Sequence, residues 1–330
     1  MGFFLEFLWR QLFVWLPTPN YDFSGQTVII TGSNTGLGRE AARHIVRLGA
    51  AKVILAVRTP AKGEAAAAEI LESTKKTSSI IEVWELNLSS SASVKAFAKR
   101  AQGLARLDAV ILNAGILTTQ FALVEGEESS IVVNVVHNTL LALSLLPKLR
   151  ESAAKTGLRG RIAFVGSDLQ YLAKFAEGET PGNTFDVLRV EEKADMDDRY
   201  KVSKLLLACA VRAISAESPV SDKSNVIITY LTPGACKSDL FRDPMGGFQA
   251  LALAIGKTII GRSTEVGSRT LVNAVRPNQD VKVHGQFLMD GKVASAGPKI
   301  NSPEGKKLEE KFHKELYDKL EQLSPGVTKI

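Results

Sequence analysis

The stretch Thr31-Gly32-Ser33-Asn34-Thr35-Gly36-Leu37-Gly38 decides how the rest of the chain is read. Ahead of it, Thr27-Val28-Ile29-Ile30 is an apolar, β-branched run, the mark of a strand buried on both faces. Behind it, Arg39 to Leu48 carries Ala41, Ala42, Ile45, Val46 and Leu48 at helical spacing and stops at Gly49, a C-terminal glycine signal. Glycines set between a strand and a helix fit a dinucleotide fingerprint, which a glycine triplet alone does not establish. A glycine turns sharply and admits a phosphate where a Cβ would otherwise stand. The helix N-terminus then offers unpaired N–H groups and partial positive charge to a pyrophosphate. Gly32, Ser33, Gly36, Leu37 and Gly38 are thus candidates for holding a nucleotide; the alternative is an ordinary strand-to-helix turn.

Outward from this turn, strand and helix signals alternate from Asp22 onward. Strands are predicted at 27–30, 52–57, 80–86, 109–112, 161–165, 226–231 and 286–289, with helices at 39–48, 62–74, 91–105, 129–151, 200–215 and 264–274. Such alternation predicts an α/β fold: a doubly wound parallel sheet of about seven strands with helices on both faces. Ligands in such sheets bind beyond the carboxyl ends of the strands, so the residues just after each strand hold the interest.

After the second strand stands Arg58, 20 positions beyond Gly38. An NAD site usually has a carboxylate there, accepting from the ribose 2′-hydroxyl. A guanidinium instead suits a 2′-phosphate, through charge-assisted bonds of about 1.5–3 kcal/mol. NADP is therefore favoured over NAD, with Arg39 as a second cation nearby; the alternative is a solvated surface arginine. Asn87-Leu88 follow the third strand, where a short polar side chain can meet adenine. Asn113-Ala114-Gly115 follow the fourth, small enough for backbone to lie against a cofactor. Asn134 sits inside a long helix, an odd place for a poor helix former. Gly166-Ser167-Asp168 follow the fifth strand, and Thr232 to Ser238 the sixth, where Ser238 can reach a nicotinamide carboxamide.

Tyr200-Lys201-Val202-Ser203-Lys204 opens an amphipathic helix, and its Tyr200 and Lys204, four apart, share one face. A free tyrosine titrates at about 10, and bringing it to neutrality takes about 4 kcal/mol. One ammonium about 5 Å away, at an effective dielectric near 20, supplies about 3 kcal/mol. A cationic nicotinamide ring would supply the remainder. By itself the pattern is equally that of a solvated helix face.

The chain of 330 residues has 45% hydrophobic residues and a net charge of +6, without a basic run, so nucleic acid is not an expected partner. Cys209 and Cys236 form no disulfide framework, which suits a reducing, cytoplasmic setting. The four histidines show no metal-ligand spacing, and no metal is expected. Residues 1–20 form a hydrophobic, helical extension ahead of a domain spanning 21–330. Its first sixteen residues are mostly Phe, Leu and Trp, too short and too charged to span a membrane. Three settings suit them: packing on the domain or on a second subunit of a homo-oligomer, peripheral membrane contact, or a lid over substrate. Residues 241–262 are mostly apolar and read as a lid over a hydrophobic small-molecule substrate, or as one more packed helix. Residues 302–323 read as a charged amphipathic helix.

Together these motifs resemble the classical short-chain dehydrogenase/reductases over roughly residues 22–300. Thr31 to Gly38 is similar to that family's cofactor turn, and Asn113-Ala114-Gly115 to its second motif. Asn134, Ser167, Tyr200 and Lys204 are similar to its catalytic four, and Pro233-Gly234 with Ser238 to its nicotinamide loop. The run Glu192 to Tyr200, with the hydrophobic start, resembles a retinol-dehydrogenase-like branch of fungal secondary-metabolite pathways. The resemblance implies a single Rossmann-type domain and an NADP-dependent oxidoreductase acting on a ketone or secondary alcohol. Tyr200 would be the acid/base, with Lys204 lowering its pKa and holding the cofactor ribose. Ser167 would bond the substrate oxygen, and Asn134 would organise a relay water. Three positions depart from the pattern: Asn87 for Asp, Gly166 for a second serine, and Ser238 for threonine. Rival readings are a membrane-associated retinoid or lipid dehydrogenase and a non-catalytic NADP-binding protein.

Overall fold

A computed structural model describes residues 2–222, 224–237, 240 and 261–330. Ser238 and the segment 241–260, the core of the expected lid, lie outside the described residues. A helix α1 (Phe3–Phe13) precedes β1 (Thr27–Thr31), α2 (Gly36–Arg47), β2 (Lys52–Val57), α3 (Pro60–Thr74) and β3 (Ile81–Glu85). Then follow α4 (Ser91–Gln102), β4 (Ala109–Leu112) and a small hairpin of β5 (Leu123–Val124) and β6 (Glu127–Glu128). A continuous helix comprises α5 (Ser129–Ile131), a π-turn (Val132–Val136) and α6 (His137–Thr156). After β7 (Gly160–Val165) come α7 (Thr184–Leu188), α8 (Met196–Glu217), β8 (Val226–Thr232) and α9 (Thr264–Ala274). The chain closes with β9 (Phe287–Met289), β10 (Lys292–Ala294) and the long helix α10 (Pro303–Leu323).

The sheet has eight strands in the order β10-β9-β8-β7-β4-β1-β2-β3. All pairs are parallel except β9 with β10. The eighth strand, beyond the seven expected, is the three-residue edge β10. It turns back through Asp290 and Gly291, whose φ angles of 52° and 76° give the doubly left-handed turn of a tight hairpin.

Alternation along the strands feeds two cores. Ile29, Ile54, Val110, Ile162 and Ile228 face α4, α6, α8 and α10. Val28, Ile30, Val53, Leu55, Ile111 and Ile227 face α2, α3 and α9. Each such side chain, fully buried, contributes about 1.5–3 kcal/mol relative to exposure. Among the described residues, one helix is long and apolar enough to cross a membrane, Ser129–Thr156, and its apolar window is 94% buried as a core element. Strand order reverses between β1 and β4, so a crevice opens above their carboxyl ends.

Candidate active site

The turn after β1 is built for close approach. Gly32 and Gly36 sit at φ 64° and 58°, which only glycine adopts at little cost. A Cβ on Gly32 would stand 3.0 Å from Ala114 Cα, and one on Gly38 2.5 Å from the Gly32 carbonyl oxygen. Asn113 staples the turn to β4, its Nδ2 donating to the carbonyls of Thr31 at 2.9 Å and Gly32 at 3.2 Å. The Ala114 N–H donates to Thr31 Oγ1 at 2.9 Å.

Above these strand ends lies a cavity of about 750 Å³. It brings together Gly32, Gly36, Leu37, Arg58, Asn87, Leu88, Asn113, Gly115, Ser167, Tyr200 and Lys204. Two residues of the expected turn stand behind the wall. Ser33 is fully buried and its hydroxyl donates to the Ile30 carbonyl at 2.8 Å, so it braces the turn. Gly38 is where α2 passes the Gly32 carbonyl. Asn34 and Thr35 line the cavity in their place.

At one end Arg58 and Lys62 are both exposed at the rim, without an ion pair among the described residues. Arg39, the expected second cation, is instead taken by Glu69 Oε2 at 2.7 Å. Lys62, one turn into α3, is the cation that sequence reasoning missed. Asn87 Oδ1 accepts from the Ser89 N–H at 3.0 Å, which shapes the loop and leaves one lone pair for a ligand.

At the other end Ser167, Tyr200 and Lys204 converge. Ser167 and Tyr200 both line this end of the cavity, and Lys204 Nζ lies 5.5 Å from the centre of the Tyr200 ring. Lys204 Nζ donates to the Val165 carbonyl at 2.8 Å. Burial lowers the Lys204 ammonium to about 8. Burial, then the Asp168 carboxylate, push the Tyr200 phenol well above its ordinary range, with Ser167 opposing. Burial therefore acts on the phenol in the direction opposite to the one expected of Lys204. Asp168 is itself raised, first by burial, because taking a carboxylate out of water favours its neutral form.

Helix α8 is locked in place just ahead of Tyr200. Asp195 caps it, accepting from the Asp198 N–H at 3.1 Å. Asp198 accepts from the backbone N–H groups of Lys174 at 2.8 Å and Phe175 at 2.9 Å. The buried Arg199 guanidinium lies 3.0 Å from Glu177 and 3.7 Å from Glu128. Glu128 also caps α5, accepting from Ser130 N–H at 2.9 Å and Ile131 N–H at 3.1 Å. One buried charge cluster therefore ties the tyrosine helix to the helix bearing Asn134.

Asn134 lies in the π-turn, fully buried and behind the cavity wall. Its Oδ1 accepts from the Ile116 N–H at 2.8 Å; its Nδ2 donates to the Ile116 carbonyl at 2.9 Å and to Ser203 Oγ at 3.0 Å. The side chain thus links the Gly115 loop to α8. A π-turn in a long helix frequently marks a functional site, and a mid-helix asparagine was its only sequence signal.

Helix α1 is tied to the domain and reaches the cavity. Phe7 joins its lining, beside Leu169 and the loop Pro233-Gly234-Ala235-Cys236.

The model of the short chain dehydrogenase family matches residues 26–175. A short-chain dehydrogenase, anuD, of Penicillium roqueforti is 42% identical over 98% of this chain and 84% of its own. A short chain dehydrogenase/reductase, dmxR8, of a Cryptosporiopsis species is also 42% identical, over 98% of this chain and 99% of its own. Among solved structures, an uncharacterised protein from Mycobacterium paratuberculosis superposes with a TM-score of 0.66 at 25% identity, over 96% of this chain and 97% of that one. The NADPH-bound carbonyl reductase from chicken fatty liver shares the fold with a TM-score of 0.59 at 21% identity, over 86% of this chain and 99% of that one. With its crevice, its glycine turn and these relatives, the chain belongs to the short-chain dehydrogenase/reductase family of oxidoreductases.

Proposed function

We propose that the protein is an NADP-dependent oxidoreductase interconverting a ketone and a secondary alcohol on a hydrophobic small molecule of secondary metabolism. The observation that carries this is the meeting of Ser167, Tyr200 and Lys204 with the glycine turn in one cavity. The residues fit the cofactor: Gly32 and Gly36 line the cavity without side chains, and Arg58 with Lys62 offers charge for a 2′-phosphate. Reduced NADP held there supplies the hydride.

The protein's part is position and one proton. Burial favours the protonated phenol of Tyr200, which in the reducing direction donates to the substrate oxygen as charge develops there. Ser167 shares that oxygen as a second donor, and Lys204, a turn away, places positive charge beside the resulting phenolate. Tyr200→Phe should cost about 10²–10⁴-fold in turnover of hydrophobic ketones while NADPH still binds. Unchanged NADPH consumption by that variant would refute the assignment.

One observation favours a second feature, peripheral membrane contact. Leu5, Trp9, Leu12, Phe13 and Trp15 of the N-terminal segment are each more than half exposed, a face suited to a lipid interface. Flotation with phosphatidylcholine/phosphatidylserine vesicles, reduced by Trp9→Ser with Trp15→Ser, is the expected result; no flotation of the unaltered chain refutes it.

A further inference from the structure

We propose that α1 is a working part of the active site: Phe7 forms a wall of the substrate chamber, and Arg10 is the positioning residue that holds it there. The inference deepens the reading of the cavity as a ketone site and rests on it. Phe7 lines the same cavity as Ser167 and Tyr200. Its ring stacks on Phe3 at 6.2 Å, Phe3 meets Tyr171 edge-on at 5.7 Å, and Tyr171 meets Phe287 at 6.0 Å. An aromatic row thus runs from α1 to β9, passing four residues beyond Ser167.

Hydrophobic burial does not hold α1 in place, because none of its eleven residues is buried. A helix that short is marginal on its own. Polar ties hold it instead. Arg10 Nε donates to Asp290 Oδ2 at 2.8 Å, and Arg262 Nη1 donates to Asp290 Oδ1 at 2.8 Å. Arg262 Nη2 donates to the Arg10 carbonyl at 2.9 Å. Gln11 Nε2 donates to the Ala235 carbonyl at 2.9 Å, on the loop after β8 that lines the cavity. The Arg10, Asp290 and Arg262 side chains are 17%, 12% and 5% exposed, so solvent screens these pairs little. The β8 loop, which lines the cavity, and the β9–β10 turn are thereby fastened to one helix. An occupant with a flat or cyclic apolar body next to its carbonyl is the chemistry that an aromatic wall recognises.

The test uses the full chain with NADPH and methyl ketones carrying progressively larger aryl groups. Phe7→Ala should lower kcat/KM for the bulkiest ketone about tenfold or more, mainly through KM, with NADPH affinity unchanged. Asp290→Asn keeps a residue that the left-handed turn accepts but removes the charge that Arg10 and Arg262 share. It should raise KM in the same direction with little loss of thermal stability. Phe4→Ala, on the outward face, should match the unaltered chain. Phe7→Ala and Asp290→Asn both within twofold of the unaltered chain across the series would overturn the proposal. A chain that binds NADPH yet turns over no ketone would sink the ketone reading itself. The wall then rests on hydrogen exchange of residues 3–13 with oxidised cofactor and the bulkiest ketone. Slower exchange in the unaltered chain, lost in Phe7→Ala, supports it; no ketone-dependent change overturns it.

Discussion

Replacing Lys204 with methionine should make the cofactor-free protein more stable at neutral pH while destroying its activity. Burial lowers the ammonium from 10.5 to about 8. At about 1.4 kcal/mol per pH unit, holding the charged form inside the fold costs about 3 kcal/mol at pH 7. Methionine keeps the apolar stem and removes the charge, but it leaves the Val165 carbonyl without its donor, at about 1–2 kcal/mol. The balance at pH 7 is a gain of about 1–2 kcal/mol. Because the folded pKa lies below the unfolded one, the wild-type penalty is complete below about pH 8 and fades as pH rises toward 10.5. Urea unfolding of both proteins without cofactor, at pH 7 and pH 10, measures this directly. The variant's advantage should shrink by about 2 kcal/mol between the two. Groups elsewhere titrate alike in both proteins and cancel. A gap that does not change with pH would refute the reasoning, since it would mean that Lys204 is not a buried charge in the folded chain.

Arg58→Asp should raise the KM for NADPH about 10–100-fold, the equivalent of one lost charge-assisted contact, and shift preference toward NADH. Lys62→Ala should do the same more weakly, and an unmoved NADPH/NADH ratio of kcat/KM in Arg58→Asp would dismiss the 2′-phosphate role. Asn134→Ala strands the Ile116 N–H and the Ile116 carbonyl and removes a donor from Ser203 Oγ, and should cost about 2–4 kcal/mol in urea unfolding, with turnover falling as α8 loosens. A loss below about 0.5 kcal/mol would show that the tie is not needed.

What could be read ahead of the structure divides along a physical line. Strand runs such as Lys52–Val57 and Ala109–Leu112 were legible because burial on both faces demands consecutive apolar residues. Tyr200 and Lys204 were legible because one helical turn puts positions i and i+4 on one face, and both indeed line the cavity. The eighth strand was not, since Lys292-Val293-Ala294 is short and pairs on one side only. The direction of the Ser33 side chain was not legible, because nothing local decides whether a turn serine faces the ligand or its own strand; here the Ile30 carbonyl holds it. The anchors of the site were the least visible. Arg199 meets Glu128 and Glu177, and Arg10 meets Asp290, across separations that no periodicity encodes. Yet these long-range pairs set the geometry on which the legible residues act. Tyr200 is poised by the neighbour before it, whose buried charge must find carboxylates on two other elements, and Phe7 is poised by the arginine three residues after it. The chemistry of this fold is local in sequence, whereas its alignment is held by charges that only the folded chain brings together.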